Sequence, residues 1–487
     1  MLELSDKSLF REQAYINGEW VGSGPDARLT TTNPYDGAVV GTVPRLQPSD
    51  TRRAIEGAER AFQSWKRKSA DERAGILRRW LALIGQHRED LAKILTTEQG
   101  KPLREALGEI DFAASFIDWF AEEGKRIYGD TIPMQDSTKR ALVIKQPVGV
   151  CAAITPWNFP AAMITRKVGA ALAAGCTVVV KPAEQTPHTA LALAELGARA
   201  GIPPGVLNIL TGDPAAIGQE LLANPTVRKL TFTGSTEVGK LLMRGSADTL
   251  KRVSLELGGN APFLIFDDAD IDAAVEAVVA CKFRNAGQTC VCANRILVQD
   301  GVYDEFAAKL TTQVRALKEG NGMTPQVDQG PLIDQAAIQK VEAHVADAMA
   351  LGARVAVGGN RHKLGGTFYE PTVLVDVDPR MKISREETFG PVAPLFRFQH
   401  EEEAIQMAND TIFGLVAYFF SRDIGRVWRV SEALEYGMVG VNTGHVSVAP
   451  APFGGVKQSG LGREGSKYGI EEYLEIKYIC MGGIGAS

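Results

Sequence analysis

The chain has 487 residues, of which 45% are hydrophobic and 23% charged, and at about 150 residues per domain this predicts two to four globular domains with a large core. The formal net charge of −5 comes from interspersed acidic and basic residues without a Lys/Arg-rich run, which argues against a nucleic-acid-binding protein. No signal peptide is predicted in "MLELSDKSLF", no apolar run reaches the ~18 residues of a membrane span, and six cysteines without a CxxC motif indicate a reducing compartment, the cytoplasm.

The N-terminal part of the chain predicts helices after a short β segment. A strand start is expected around "AYINGEWV", and residues 50–66 place alanine and aromatic side chains on one helical face, with Asp50 as the predicted N-cap. Residues 71–97 and 103–127 are each predicted to form a long amphipathic helix. The first quarter of the chain is therefore expected to be mainly helical.

The pattern changes after this helical region. In residues 148–257 short apolar strands such as "TVVVKP" and "KLTFTG" alternate with helical segments, and a similar alternation runs from 261 to about 445. Uninterrupted β-branched strands of this kind indicate a parallel sheet covered by helices on both faces. Residues 137–149 are predicted to form a hairpin outside the main sheet, and the tail "EEYLEIKYICMGG" a matching edge strand that pairs between subunits.

A cysteine pair in "NAGQTCVCANR" allows four interpretations. A disulfide between Cys290 and Cys292 would close a very small, strained ring, and a metal site would need further ligands that the scattered histidines do not supply nearby. Inert buried sulfur and a thiol nucleophile remain open. A nucleophile would need an activating group and a place for negative charge, for which Glu256 in "LELGG" and Asn158 in "PWNFP" are candidates.

Two segments indicate a dinucleotide site, although no G-x-G-x-x-G motif occurs where the α/β block of residues 148–257 would place it. "FTGSTEVGK" lies between a strand and a helix, so that Gly234 allows a tight turn and Ser235 with the free N–H groups of the helix can receive a pyrophosphate. In "VVVKPAEQTP", Lys181 and Glu184 leave the end of a strand and can hold ribose hydroxyls. Because the Glu184 carboxylate would repel a 2′-phosphate, the sequence predicts NAD in preference to NADP.

The motifs "PWNFP", "KPAEQTP", "FTGSTEVG", "LELGGNAP", "GQTC" and "EETFGP" occur in the order typical of the NAD(P)-dependent aldehyde dehydrogenase superfamily. The chain resembles this family over nearly its whole length, and "KFRNAGQTCVCANR" is similar to the succinate-semialdehyde dehydrogenase branch, which overlaps the glutarate-semialdehyde enzymes. The resemblance implies an α/β fold with a Rossmann-type NAD-binding domain (1–125 and 146–257), a catalytic domain (258–470) and oligomerisation strands (126–145 and 471–487) in a homodimer or homotetramer.

For the reaction, the resemblance implies that Cys290 attacks an aldehyde, that Asn158 and the Cys290 N–H hold the oxyanion, and that Glu256 activates the hydrolytic water. No metal is expected. The coenzyme NAD, with NADP also accepted, is expected to contact the following residues: Thr155, Pro156, Trp157, Lys181, Glu184, Gly234, Ser235, Glu387 and Phe389.

For the substrate, the resemblance implies that Arg166 and Arg284 bind the distal carboxylate of a semialdehyde, and guanidinium groups suit carboxylates because they bind them bidentately. Ser447 is expected in the same pocket. Val448 stands where the branch often has a polar residue, and His445 where an aliphatic one is usual, so a five-carbon or substituted semialdehyde remains an alternative to the four-carbon one. Cys292 is a candidate for a reversible redox bond with Cys290.

Two other classes of protein remain as rival interpretations. A cysteine hydrolase or acyl-transferase would use Cys290 with a histidine such as His445 and would reduce no nicotinamide. A non-enzymatic protein would keep the fold for binding alone, against which the presence of Cys290, Glu256 and Asn158 argues.

Overall fold

The computed structural model describes residues 2–484. Met1 and residues 485–487, which belong to the predicted ranges 1–125 and 471–487, lie outside the described residues. None of the helices described within residues 2–484 is both long enough and apolar enough to cross a membrane.

The N-terminal region begins with strands and continues with helices. Its elements are β1 (Ala14–Ile16), β2 (Glu19–Val21), β3 (Arg28–Thr32), β4 (Val39–Pro44), α1 (Pro48–Trp65), α2 (Ala70–Gln86), α3 (Arg88–Gln99) and α4 (Leu103–Glu123). The prediction of Asp50 as N-cap was wrong, because α1 is capped by Gln47, and Asp50 is the third helical residue, whose carboxylate accepts the Gln47 N–H. The single helix predicted over 71–97 is divided at His87, whose ψ of 19° ends α2.

The first large sheet has eight strands in the order β19-β11-β10-β7-β8-β9-β1-β2, and its five central strands are parallel. The elements of this region are β7 (Val150–Ile154), α5 (Ala162–Ala174), β8 (Thr177–Lys181), α6 (Pro187–Arg199), β9 (Leu207–Ile209), α7 (Pro214–Ala223), β10 (Val227–Thr233), α8 (Thr236–Ala247) and β11 (Arg252–Glu256). Its outer strand β19 (Gly460–Leu461) comes from the C-terminal part of the chain, inside the predicted catalytic range 258–470.

The second large sheet has seven strands in the order β14-β15-β16-β13-β12-β17-β18, all parallel except β14. Its strands and helices are β12 (Ala261–Ile265), α9 (Ile271–Lys282), β13 (Ala293–Gln299), α10 (Asp300–Arg315), α11 (Gln335–Ala350), β14 (Arg354–Val357), β15 (Thr372–Val375), α12 (Lys382–Arg385), β16 (Val392–Phe398), α13 (Glu401–Asn409), β17 (Val416–Phe420), α14 (Ile424–Ala433) and β18 (Met438–Val441).

Both large sheets are buried on their two faces, as the uninterrupted apolar strands predict. Successive side chains of a strand point to opposite faces, and in β8 Val178 and Val180 join one apolar cluster while Val179 joins another. In β12 Phe263 and Leu264 are divided between two further clusters in the same way. Helices therefore cover each sheet on both sides.

The remaining strands form a small antiparallel sheet outside the two large ones. It consists of β20 (Leu474–Met481), β6 (Arg140–Pro147) and β5 (Asp130–Ile132), in that order, and the short helix α15 (Ser466–Glu471) precedes β20. The hairpin predicted over 137–149 was wrong, because this small sheet takes only one strand, β6, from that segment, and β6 pairs with β5 outside the predicted range. The strand predicted in the tail is β20, which pairs with the other edge of β6. The division of the chain into the three predicted domains stays a prediction.

Candidate active site

A groove of about 350 Å³, called here the front groove, lies where the carboxyl edge of the first sheet meets the amino ends of strands in the second. This arrangement follows from the topology, because loops leaving β7, β10 and β11 meet segments that precede β12, β13 and β16. The predicted site residues that line it are Pro156, Trp157, Asn158, Gly234, Ser235, Glu256, Cys290, Glu387 and Phe389.

The helix α8 directs its amino end at the front groove. Ser235 is its N-cap, and its hydroxyl accepts the N–H of Val238 at 3.3 Å. The other N–H groups of the first turn lack partners within the helix, so this end is suited to an anion such as a pyrophosphate.

The opposite wall of the front groove is the segment 386–391, which precedes β16. The Glu387 Oε1 atom accepts the N–H of Gly259 at 3.1 Å, and the Phe389 ring packs edge-to-face against Trp157 with 5.6 Å between centroids. Burial raises the pKa of Glu387 to about 7. A Cβ atom at Gly258 would lie 2.9 Å from Glu387 Oε2, so glycine keeps this part of the groove open.

A second cavity, called here the rear pocket, has a volume of about 280 Å³ and is lined by the predicted substrate residues Arg166, Arg284 and Ser447. Cys290 and Met163 line both the front groove and the rear pocket. The Cys290 thiol therefore lies at the junction of the two cavities.

The two arginines of the rear pocket differ in their surroundings. Arg166 is 1% exposed, its Nε lies 2.7 Å from Glu464 Oε2, and its Nη2 is buried without a hydrogen-bond partner. Arg284 lies with its guanidinium 5.4 Å from the Phe159 ring centroid and, within residues 2–484, has no ion-pair or hydrogen-bond partner at its side chain. Arg166 thus forms a buried salt bridge and keeps one N–H donor, at Nη2, without a partner. The whole Arg284 guanidinium is without a partner among the described residues.

Arg284, His445 and Ser447 also line a third cavity of about 530 Å³, called here the outer pocket, which shares these residues with the rear pocket. Ser447 is buried and Val448 is 50% exposed, and the valine does not line the rear pocket.

Burial and the nearby Arg284 charge lower the pKa of His445. A cysteine hydrolase would require a hydrogen bond between His445 and Cys290. Both residues line the rear pocket, but among the described side chains no such hydrogen bond is present.

The electrostatic surroundings of Cys290 favour its neutral form. Burial and the Glu387 charge raise the pKa of the Cys290 thiol to about 12. Burial and the charge of Glu464 also raise the pKa of Glu256 well above its ordinary value, and Glu256 Oε2 has no hydrogen-bond partner. Two acidic groups with raised pKa values thus face one groove, a pattern common at catalytic sites.

Cys292 has different surroundings from Cys290. Its side chain is fully buried, and its thiol donates to the Gly287 carbonyl at 3.3 Å and lies 3.7 Å from Lys282 Nζ. It lines neither the front groove nor the rear pocket. Cys290 and Cys292 are both free thiols, and the redox switch stays a prediction.

Three predicted coenzyme residues do not line the front groove. Thr155 is buried, and its hydroxyl has no hydrogen-bond partner. Lys181 and Glu184, at the end of β8, form an ion pair with each other. They lie along the same sheet edge, next to the segment 155–158 after β7, because β7 and β8 are parallel neighbours.

Several buried charged side chains around the site lie outside the motifs that predicted it. Lys167 donates to Thr233 Oγ1 at 2.6 Å and pairs with Glu464, which also contacts Arg166. Burial alone would raise the pKa of Glu464, but the neighbouring Lys167 and Arg166 charges hold it below its ordinary value. Lys101 and Glu109 form a second buried ion pair, at 2.6 Å.

Candidate metal ligands are not clustered in this site. Within the described part of the chain, no group of three or more His, Cys, Asp or Glu side chains has an arrangement that could hold a metal ion.

Comparison with known proteins identifies the family. The model of the aldehyde dehydrogenase family matches residues 20–479. The chain belongs to the aldehyde dehydrogenase family. The predicted family and the predicted α/β fold class are therefore confirmed.

Similar members of the aldehyde dehydrogenase family have names that specify semialdehydes. The NADP(+) succinate-semialdehyde dehydrogenase GabD of Escherichia coli is 62% identical, over 99% of this chain and 100% of that protein. A glutarate-semialdehyde dehydrogenase of Pseudomonas aeruginosa is 61% identical over the same shares. The crystal structure of a succinate-semialdehyde dehydrogenase from Burkholderia pseudomallei, 62% identical, covers 99% of this chain and 100% of its own with a TM-score of 0.98.

Proposed function

We propose that this aldehyde dehydrogenase oxidises succinate semialdehyde to succinate with NAD or NADP, through a thioester on Cys290. The observation that supports this most is the position of Cys290 at the junction of two cavities. One cavity has a helix amino end suited to a pyrophosphate, and the other has two guanidinium groups suited to a carboxylate. A substrate whose aldehyde and carboxylate lie at opposite ends fits this arrangement.

In the proposed reaction the Cys290 thiol gives its proton to solvent water, and Sγ of the resulting thiolate forms a bond to the aldehyde carbon. The developing oxyanion accepts hydrogen bonds from the Asn158 amide and the Cys290 N–H, and collapse of this adduct gives the thioester. Glu256 then takes a proton from water, the water oxygen attacks the thioester, and the C–S bond breaks to release the carboxylic acid. When bound, the coenzyme accepts the hydride that leaves the substrate carbon.

The residues of the front groove and of the neighbouring end of β8 fit a dinucleotide. The amino end of α8 with Ser235 would hold the pyrophosphate, Glu387 the nicotinamide ribose, and Lys181 with Glu184 the adenosine ribose. We propose that NAD is preferred because of the Glu184 carboxylate. NADP would still be accepted, because the ion pair with Lys181 offsets part of that charge. The name of the Escherichia coli relative specifies NADP(+).

A five-carbon substrate, glutarate semialdehyde, is the second candidate. It is supported by the outer pocket of about 530 Å³, which adjoins the rear pocket at Arg284 and leaves space for a longer chain. The name of the Pseudomonas aeruginosa relative specifies this substrate.

We further propose a cytoplasmic homodimer or homotetramer. All six cysteines are free thiols, which suits a reducing compartment. The small sheet of β5, β6 and β20 leaves apolar side chains exposed, as a surface that pairs between subunits would.

The proposed function is tested by following NADH or NADPH absorbance with purified protein. We expect a kcat/KM for succinate semialdehyde that exceeds that for neutral butanal by about 100-fold, the contribution of one or two charge-assisted hydrogen bonds. The same assay with glutaric semialdehyde separates the two candidate substrates. Equal rates with butanal, or no coenzyme reduction with any of the three aldehydes, would contradict the proposal.

A further inference from the structure

Lys101 lies behind the loop 155–161 that carries Asn158, and it lines none of the three cavities described above, whereas its partner Glu109 lines the rear pocket. Its side chain and that of Glu109 are both 0% exposed, and their ion pair measures 2.6 Å. The same Lys101 ammonium donates to the backbone carbonyl of Asn158 at 2.7 Å and lies 3.9 Å from the Phe159 ring centroid. A buried charge costs free energy unless it is fully paired, so all of these contacts hold Lys101 in one position.

Glu109 holds the same loop from its other end. Its Oε1 atom accepts the N–H groups of Ala161 at 2.9 Å and Ala162 at 3.3 Å, at the start of α5. Lys101 and Glu109 together fix the backbone on both sides of Phe159. The segment that carries Asn158 is therefore anchored to α4 and to the connection that precedes it.

The Asn158 side chain is linked to the loop of the nucleophile. Its Nδ2 donates to the Gln288 carbonyl at 3.0 Å, two residues before Cys290. Asn285 Nδ2 donates to the Asn158 carbonyl at 3.1 Å, and Gln99 Nε2 donates to Asn285 Oδ1 at 2.9 Å. Lys101 is thus the cationic member of a buried network that joins the Asn158 loop to the Cys290 loop.

From this network we propose that Lys101 is a positioning residue for acylation: through the carbonyl of Asn158 it holds the Asn158 amide at the oxyanion position beside Cys290. The inference rests on the proposed function, because the oxyanion role of Asn158 belongs to it. A misplaced donor loses most of its effect, and removal of one oxyanion donor typically slows a reaction about 100- to 1000-fold. Lys101→Met is therefore expected to slow acylation about 10- to 100-fold.

The test measures acylation of Cys290 in a double-mutant cycle of Lys101→Met and Asn158→Ala. Acylation is followed as the single-turnover formation of NADH with semialdehyde, and independently with p-nitrophenyl acetate, which acylates a thiol without coenzyme. If Lys101 acts through Asn158, Lys101→Met slows both reactions in the wild-type background and has less than a twofold effect in the Asn158→Ala background. Additive losses, or wild-type acylation in Lys101→Met, would overturn the inference.

The controls separate positioning from stability. Alkylation of Cys290 by iodoacetamide forms no oxyanion, so its rate should change less than twofold in Lys101→Met. Lys229→Met is the matched control, because Lys229 is also 0% exposed and hydrogen-bonded, to Ser254 at 2.5 Å, but contacts neither loop. We expect it to lower the Tm without slowing acylation.

Removing one member of a buried ion pair is strongly destabilising, whereas replacing both members with apolar groups is often neutral. A second variant therefore replaces both Lys101 and Glu109, so that the protein still folds. Lys101→Met/Glu109→Leu should fold and show the same acylation defect. Wild-type acylation in this folded variant would also overturn the inference. If the wild-type protein acylates with p-nitrophenyl acetate but reduces no coenzyme with any semialdehyde, the proposed function fails and the cycle still tests Lys101.

Discussion

At the scale of single residues, Glu256 has the clearest chemical consequence. Its carboxyl group is buried, and its Oε2 lacks a hydrogen-bond partner, so it is available to a water molecule in the front groove. We expect Glu256→Gln to form a stoichiometric burst of NADH and then to turn over about 100-fold more slowly, because hydrolysis loses its general base. Rapid-mixing absorbance measures both phases. The absence of a burst would mean that Glu256 acts before the thioester forms.

The raised pKa of Cys290 predicts the pH dependence of its reactivity in the absence of coenzyme. The thiolate is the reactive form, and with a pKa of about 12 its fraction rises tenfold for each pH unit well below that value. The alkylation rate with iodoacetamide should therefore increase about tenfold per unit from pH 7 to 10 without a plateau. Cys290→Ala identifies the labelled thiol. A plateau below pH 9 would show that the thiol is already activated.

Arg284 is expected to determine the preference for a charged substrate. Its guanidinium is free and lies between the rear and outer pockets. Arg284→Ala should lower kcat/KM for succinate semialdehyde about 10- to 100-fold, the effect of losing a charge-assisted hydrogen bond, and change that for butanal less than threefold. Arg284→Lys, which keeps the charge without the bidentate geometry, should lie between the two. Equal losses for both substrates would remove the carboxylate role.

Glu184 provides the corresponding test for the coenzyme. With a serine in its place, the repulsion of a 2′-phosphate is lost and the Lys181 ammonium becomes free to attract it. Glu184→Ser should raise the ratio of kcat/KM for NADP to that for NAD about tenfold. Steady-state kinetics with both coenzymes at saturating semialdehyde measure this ratio. An unchanged ratio would mean that Glu184 does not face the 2′ position.

At the scale of elements, sequence periodicity predicted most of the architecture but not where helices end. The alternation of strands and helices after residue 148 was sufficient to predict both parallel sheets, because buried strands leave uninterrupted apolar runs. The division of the predicted helix 71–97 at His87 follows Gly85, but an isolated glycine is also tolerated within helices and is a weak signal for a helix end. The amphipathic pattern continues through the break, since α2 and α3 both bury apolar side chains.

The candidate site was predictable where motifs carry the chemistry and not where long-range packing does. Residues of the ordered motifs, such as Asn158, Glu256 and Cys290, line one groove. Lys101 was missed because its partners Glu109 and Asn158 are 8 and 57 residues away in the sequence. One available signal was Glu109 itself, a carboxylate on the face of α4 that otherwise buries Ala106, Ile110 and Ala113.

The conformation of the loop that presents Cys290 depends both on a sequence motif and on long-range packing. Asn285 and Ala286 have φ of 52° and 55°, in the left-handed region, and Gly287 has φ of 73°. Such a conformation costs about 1 kcal/mol or more for a residue like alanine, so surrounding contacts must maintain it. A Cβ at Gly287 would collide with the backbone of Gly390, which explains why glycine precedes the "QTC" segment. The sequence indicates a functional turn, but only the packing shows its strain.

At the scale of the whole molecule, each large sheet contributes one wall of the site. Glu256 ends β11 of the first sheet, whereas Cys290 precedes β13 and Phe389 precedes β16 of the second. After the last strand of the second sheet, the chain returns to the first sheet, where β19 pairs with β11. Displacement of one sheet relative to the other would change the distance between Cys290, the proposed nucleophile, and Glu256, the proposed base, so the proposed reaction requires a fixed arrangement of the two sheets.

The small sheet of β5, β6 and β20 exposes large apolar side chains, which bears on subunit association. Ile132, Ile476 and Tyr478 are 46%, 73% and 54% exposed, and an isolated three-stranded sheet with such faces would be marginally stable in water. Burial against a second copy of the chain would stabilise it.

Ile476→Glu is therefore expected to shift the protein toward monomers, because it would place a charge in the buried interface. Size-exclusion chromatography with light scattering measures the mass across a range of protein concentrations. The neighbouring Lys477→Glu is the matched control, since Lys477 is also exposed but points to the opposite face of β20, and it should leave the mass unchanged. A monomeric wild-type protein, or an unchanged mass for Ile476→Glu, would show that this sheet is not the interface. The front groove is lined by residues outside these strands, so coenzyme binding should persist in the monomer and separate loss of assembly from loss of the site.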